Sequence, residues 1–151
     1  MSWFDLFYDD RKLLKLKAFI KFANQLGDLS TCKRRRVGAI IFPEDFTEVL
    51  AIGYNGPPSG IANNSCKDIS ARCGCVHAEA NAIVKLQTHK ENLVIYSTVT
   101  PCEHCAGLII NTKKIKYCLY SVQYSNDEGL DKLLKAGIET RKLTEIIDDF
   151  S

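Results

Sequence analysis

From Asp9 to Gly27, apolar residues return every three or four positions, at Leu13, Leu16, Phe19, Ile20, Ala23 and Leu26, with lysines between them. That spacing gathers them on one side of a helix and predicts an amphipathic helix closed by Gly27. The period then changes. Val37 to Phe42 is a continuous apolar, β-branched run, and Glu48 to Tyr54 is a second, so two strands with a short connection predict a hairpin. Gly53 to Gly60 holds three glycines and two prolines, which predicts a loop that runs on to Cys75.

Beyond the loop, helical and strand patterns alternate. Helices are expected at His77 to Thr88, Cys102 to Asn111 and Asp127 to Lys135, and strands at Leu93 to Thr98, Ile115 to Ser121 and Ile138 to Leu143. The order αββαβαβαβ predicts a three-layer α/β/α sandwich around a mixed five-stranded sheet, an antiparallel hairpin leading into parallel neighbours. With 151 residues and neither repeat nor linker, one domain over 1–151 is expected. Function in such sheets collects where strands feed helix N-termini. His77 and Cys102 both stand at such junctions.

Composition narrows the classes. Hydrophobic residues at 46% and charged residues at 25% are ordinary for a globular domain. The N-terminal MSWFDLFYDDRKLL is acidic where a secretory signal is basic, and no run approaches the roughly 20 apolar residues of a membrane helix, so a cytoplasmic location is expected. A net charge of +2 argues against a protein that coats nucleic acid. Seven cysteines, an odd number, suit reduced thiols serving a metal or the core better than a disulfide framework. Cys118, inside a strand pattern, is expected in the core.

Cys102-x-x-Cys105 supplies two thiolates at a reach that suits one Zn²⁺. Such a pair can also be a redox couple, and a zinc ribbon needs a second CxxC, which this chain lacks. Val76-His77-Ala78-Glu79 offers the other half. Residues two apart do not face each other on a helix, so His77 and Glu79 are not expected to be equivalent ligands. Three ligands, His77, Cys102 and Cys105, leave a fourth position for water, the open form of a catalytic zinc, with Glu79 as proton carrier. His104, between the cysteines, is expected to point away. Taken alone, a histidine or glutamate at a helix start is more often a cap or a dipole partner than a catalytic group.

H-x-E combined with P-C-x-x-C resembles the signature of zinc nucleobase deaminases. The resemblance implies that zinc-generated hydroxide attacks C4 of a cytosine ring while Glu79 moves protons to N3 and to the departing amine. Backbone groups at Ala78 and around Thr100 become candidate partners of the ring carbonyl and amine. Four blocks in order then narrow the family: Cys32-Lys33-Arg34-Arg35-Arg36-Val37-Gly38-Ala39, Gly53 to Gly60, His77 to Ile83, and Pro101 to Ala106 with Ile109 and Ile110. From about Ser30 to Leu143 the chain resembles the deoxycytidylate (dCMP) deaminases, which convert dCMP to dUMP and ammonia and so feed thymidylate synthesis.

That resemblance implies that Asn55 binds the sugar hydroxyl and that Tyr124 closes over the nucleotide. For the monophosphate, Arg34 and Arg36 alternate just before a strand and are expected to point the same way, leaving Lys33 and Arg35 in solvent. A solvated or nucleic-acid-binding charge run is the alternative for this stretch. Cys32, Cys66, Cys73 and Cys75 are either ordinary thiols or a closed Cys₄ site for a second, structural zinc, as some phage and bacterial relatives carry in this region. The family also implies a homo-hexamer with dCTP and dTTP as effectors near the Gly-Tyr-Asn-Gly loop. No membrane or stable nucleic-acid partner is expected. Two rival functions stand beside this one: a transfer-RNA or polynucleotide deaminase, which should show an extended basic or aromatic surface, and a non-catalytic zinc-binding interaction module, in which Glu79 is dispensable.

Overall fold

The computed structural model describes residues 3–4, 9–66, 73–124 and 126–147. Helix α1 (Asp10–Gly27) is followed by strands β1 (Gly38–Pro43) and β2 (Ala51–Tyr54), then α2 (Ala78–Lys85), β3 (Leu93–Val99), α3 (Glu103–Asn111), β4 (Ile115–Val122), α4 (Glu128–Lys135) and β5 (Glu139–Lys142). The strands form one sheet in the order β2-β1-β3-β4-β5. β1 pairs antiparallel with β2 and β3, and β4 pairs parallel with β3 and β5. The fold is therefore the expected α/β sandwich on a mixed sheet.

Side-chain parity sorts the core into two halves. On one face Ile40, Phe42, Val94, Tyr96, Tyr117 and Leu119 meet the stripe Leu16, Ile20, Ala23 and Leu26 of α1. Trp3 closes this half, stacked 4.9 Å from the Tyr117 ring, with its indole N–H donating to the Glu44 carbonyl at 2.8 Å. On the other face Ile41, Leu93, Ile95 and Cys118 meet Ala82, Ala106, Ile109 and Leu133 of α2, α3 and α4. Cys118 is thus a core residue, as its strand position predicts. Every residue of β1 is buried, as a strand covered on both faces requires.

Two elements are shorter than their sequence pattern. β2 begins at Ala51 rather than Glu48. Before it, Asp45 Oδ1 accepts from the Thr47 amide at 3.1 Å and its hydroxyl at 2.7 Å, while Phe46 takes a left-handed φ of 58°. This local turn consumes residues whose composition suits a strand. α2 stops at Lys85 rather than Thr88, where the Thr88 hydroxyl accepts from the Lys90 amide at 3.0 Å and competes with the helix.

Glycine permits the close approaches that set the helices on the sheet. A Cβ at Gly53 would collide with the Ala78 carbonyl oxygen and lie 2.7 Å from the Ala82 nitrogen, so α2 rests directly on the backbone of β2. A Cβ at Gly129 would collide with the Pro101 carbonyl oxygen, so α4 seats against the turn that opens α3. Gly53→Ala is expected to cost about 1–3 kcal/mol by overpacking. Gly107→Ala, at a helical glycine with open space around it, is expected to gain up to about 1 kcal/mol from helix propensity. Thermal unfolding of the two variants beside the wild type measures both signs.

Candidate active site

Three chain segments converge at the carboxyl ends of β3 and β4. Gly56 and Val76 exchange two backbone hydrogen bonds, at 3.2 and 2.8 Å, in an isolated antiparallel bridge. This bridge closes the long loop and delivers the chain to His77, the N-cap of α2. β3 runs through Val99, Thr100 and Pro101 into Cys102, the N-cap of α3, whose sulfur accepts from the Cys105 amide at 3.4 Å. The Thr100 amide donates to the Val122 carbonyl at 2.9 Å, and its hydroxyl accepts from the Tyr124 amide at 2.9 Å, which ties the third segment in.

His77 Nδ1 lies 3.5 Å from both Cys102 Sγ and Cys105 Sγ. A tetrahedral zinc, about 2.0 Å from nitrogen and about 2.3 Å from sulfur, sets such ligands about 3.5 Å apart. The donor types and spacings therefore fit this ion. The charge state fits as well: the neighbouring Cys105 thiol, followed by His77, holds the Cys102 thiol down to about 3. His77 is in turn pushed up by Cys102 beside it, a sign that the cluster attracts positive charge. His104 lies exposed on α3, outside the cluster.

Glu79 stands in the first turn of α2 with only 4% of its surface exposed. Its Oε1 accepts a hydrogen bond from the Ser97 hydroxyl at 2.7 Å. Burial pushes its carboxyl up, and the Ser97 bond partly opposes that shift. Ser97 is a residue that motif reading missed. Its signal is parity: it shares the inner face of β3 with Leu93 and Ile95, a polar side chain in an apolar row.

These groups open into one cleft. Its walls include Ala78, Val99, Tyr124 and Asn126 besides His77, Cys102 and Glu79. Arg34 and Arg35 line the cleft, whereas Arg36 is exposed and points elsewhere, so Arg35 stands where Arg36 was expected. Alternation fails because residues 31–37 bend and only become a strand at Gly38. The two guanidinium groups sit 5.7 and 5.0 Å from the centre of the Tyr124 ring, as cation–π partners.

Asn55 is also in the wall, but its amide is largely spoken for. Its Oδ1 accepts from the Val37 amide at 2.8 Å and its Nδ2 donates to the Arg35 carbonyl at 2.5 Å, leaving one lone pair and one hydrogen for a ligand. Its first task is to hold the arginine segment in place. The four remaining thiols expected together, Cys32, Cys66, Cys73 and Cys75, do form a cluster, with all sulfurs within 4.8 Å of one another. Cys32 Sγ lies 3.8 Å from Cys73 Sγ and 4.0 Å from Cys66 Sγ. A tetrahedral ion about 2.3 Å from each sulfur spaces its ligands about 3.8 Å apart. Burial opposes ionisation of Cys32, yet amide donors from Arg35 and Arg34, with Cys75 and Cys73, bring it down to about 7.

Among the described residues no helix is long and apolar enough to cross a membrane. A family model for the cytidine and deoxycytidylate deaminase zinc-binding region matches residues 14–122. A deoxycytidylate deaminase of Saccharomyces cerevisiae is 35% identical over 139 residues, covering 83% of this chain and 44% of the relative. One from Schizosaccharomyces pombe is 30% identical, covering 82% and 42%. The chain thus spans less than half the length of these two yeast relatives. The crystal structure of the cyanophage S-TIM5 dCMP deaminase in complex with dCMP and dUMP is 33% identical with a TM-score of 0.76, covering 84% of this chain and 95% of that one.

The cluster geometry separates the three nearby candidate ligands. Cys105→Ser is expected to weaken zinc at the His77 site by at least about ten-fold, since one of its two thiolates is lost. His104→Ala is expected to leave it unchanged, which competition against a chromogenic chelator will measure.

Proposed function

The chain belongs to the cytidine and deoxycytidylate deaminase family, and from that premise we propose that it hydrolyses dCMP to dUMP and ammonia. The observation that carries this reading is the convergence of a His-Cys-Cys donor set, a buried glutamate and two arginines on one cleft. A zinc ion held by His77, Cys102 and Cys105 would supply an activated water at neutral pH. The reading is also supported by the cyanophage relative, which was crystallised with dCMP and dUMP.

Glu79 is the proton carrier. Buried beside the donor set and kept basic by desolvation, it takes one proton from the attacking water and gives it to N3 as the hydroxyl adds to C4; it then takes the proton of that hydroxyl and delivers it to the amino group, so that the C4–N bond breaks, ammonia leaves and C4 becomes a carbonyl. Ser97 fixes the rotamer of the carboxylate, so that its other oxygen stays directed at the ring. The first-turn amide of Ala78 has no acceptor within its own helix and suits the ring carbonyl. Tyr124 covers the nucleotide. Arg34 and Arg35 meet the phosphate, and the free lone pair and hydrogen of Asn55 suit the sugar hydroxyl.

We assign a second, structural zinc to Cys32, Cys66, Cys73 and Cys75, on the support of their tetrahedral spacing. It would close a loop with little apolar content of its own. Cytoplasmic location, homo-hexamer assembly and control by dCTP and dTTP near the Gly53–Gly56 loop belong to the same reading, and they rest on the family resemblance. A polynucleotide substrate is disfavoured by the short basic run, of which only Arg34 and Arg35 line the cleft.

Three measurements test this assignment. Glu79→Gln should lower kcat on dCMP by at least about a hundred-fold with zinc content unchanged; full activity would remove Glu79 from the mechanism. Arg35→Ala should raise KM for dCMP roughly ten-fold, the worth of a charge-assisted hydrogen bond, and leave deoxycytidine kinetics alone. Arg36→Ala should change neither. Metal analysis of purified protein should find two zinc ions per chain; one would dismiss the four-cysteine site.

A further inference from the structure

The segment 30–37 carries both cleft arginines and has no helix or strand of its own. Its shape must come from elsewhere. At its end, Asn55 clasps Arg35 and Val37, as described. At its beginning, the Ser30 hydroxyl donates to the Asn55 carbonyl at 2.7 Å and accepts from the Cys32 amide at 3.2 Å. Between these anchors the backbone curls around the four-cysteine cluster. The Lys33 amide donates to Cys66 Sγ at 3.3 Å, and Cys32 Sγ lies 3.8 Å from Cys73 Sγ and 4.0 Å from Cys66 Sγ.

Cys32 thus belongs to both the segment and the cluster, and the Lys33 amide reaches a second cluster sulfur, so two contacts with the cluster come immediately before the residues whose side chains reach the cleft. The cluster also supplies wall directly: Cys32, Cys73 and Cys75 line the cleft, while Cys66, 2% exposed, does not. A metal that joins Cys32 to Cys66, Cys73 and Cys75 therefore fixes the chain just before Arg34 and Arg35, and with it the direction in which they leave the backbone.

We propose that the four-cysteine cluster is a positioning element for the phosphate: metal bound there curls residues 33–35 so that Arg34 and Arg35 face the cleft, and it thereby selects the nucleotide over the nucleoside. This rests on the dCMP reading above. The cluster touches no reacting atom; it acts through the arginines. Because binding couplings are reciprocal, a ligand bearing the phosphate must tighten the metal by the same factor that the metal tightens the ligand.

Cys66 is the handle, since it belongs to the cluster and not to the cleft. Cys66→Ser is expected to lose one zinc per chain and to bind dUMP about ten-fold more weakly by calorimetry, with deoxyuridine affinity and the His77-site zinc unchanged. Its KM for dCMP should rise by a similar factor at nearly constant kcat. If that variant does not fold, the wild type carries the test alone. With cobalt in place of zinc, the d–d bands of a four-sulfur site are distinct from those of the His77 site with its two thiolates, and saturating dUMP should raise the metal affinity read from them about ten-fold while deoxyuridine does not.

Equal weakening of dUMP and deoxyuridine would reduce the cluster to a general support of the loop and overturn the proposal. Unchanged dUMP affinity after loss of the second zinc, or a metal affinity indifferent to dUMP, would overturn it as well. In each of these cases the dCMP reading survives. Failure of wild type to bind dUMP at all would overturn both.

Discussion

Three donor atoms from two helix starts, the cysteines 25 and 28 residues beyond the histidine, have to meet within 4.8 Å of one another. Everything else in the molecule serves that convergence. The sheet supplies it by ending β3 one short turn before Cys102 and by carrying β2 beneath α2. Gly53 lets α2 lie on the sheet without a side chain in between, and the Gly56–Val76 bridge returns the loop to the same spot. A half-ångström error in any of these supports would appear directly at the metal. For that reason His77 and Cys102 sit at N-caps and Cys105 in the first turn of α3, where the backbone is fixed by the first hydrogen bonds of the helix and not by a loop.

The same junctions govern charge. At the start of α3 the Cys105 amide donates to Cys102 Sγ, a favourable place for a thiolate. Glu79 sits in that field too, but it is buried beside sulfurs of the same sign and against an apolar strand face. The result is one acid whose proton is held unusually well next to a group whose proton is held unusually poorly. Ser97, whose hydroxyl donates to Glu79, comes from β3 in the middle of the sheet. The Glu79 carboxyl and the His77 donor are thus separated by two residues of helix and supported from different directions.

Much of this was legible in the sequence. Periodicity placed all nine regular elements in order, and H-x-E with P-C-x-x-C marked the donor set, because both depend on local spacing that helices and strands convert into geometry by fixed rules. Element ends were less legible: Asp45 with Phe46, and Thr88, form turns through side-chain hydrogen bonds that hydrophobic pattern does not register. Arg35 against Arg36 was a failure of a different kind. Alternation assumes an extended backbone, and the segment from Ser30 to Val37 is shaped by sulfur and by an asparagine 20 residues away. Likewise Gly129 reads as an unremarkable helix residue until α4 is seen against Pro101. Long-range contacts write little into local sequence.

The Asn55 clasp imposes one more constraint on the chain. Its side chain accepts from Val37 and donates to Arg35 in the same plane, so the position is recognised by the polarity of its two ends as well as by its volume. Aspartate matches asparagine in shape but can only accept when ionised. Facing the Arg35 carbonyl, it would set two acceptors against each other in a nearly closed site. The polarity of this one side chain therefore governs the segment that carries the arginines.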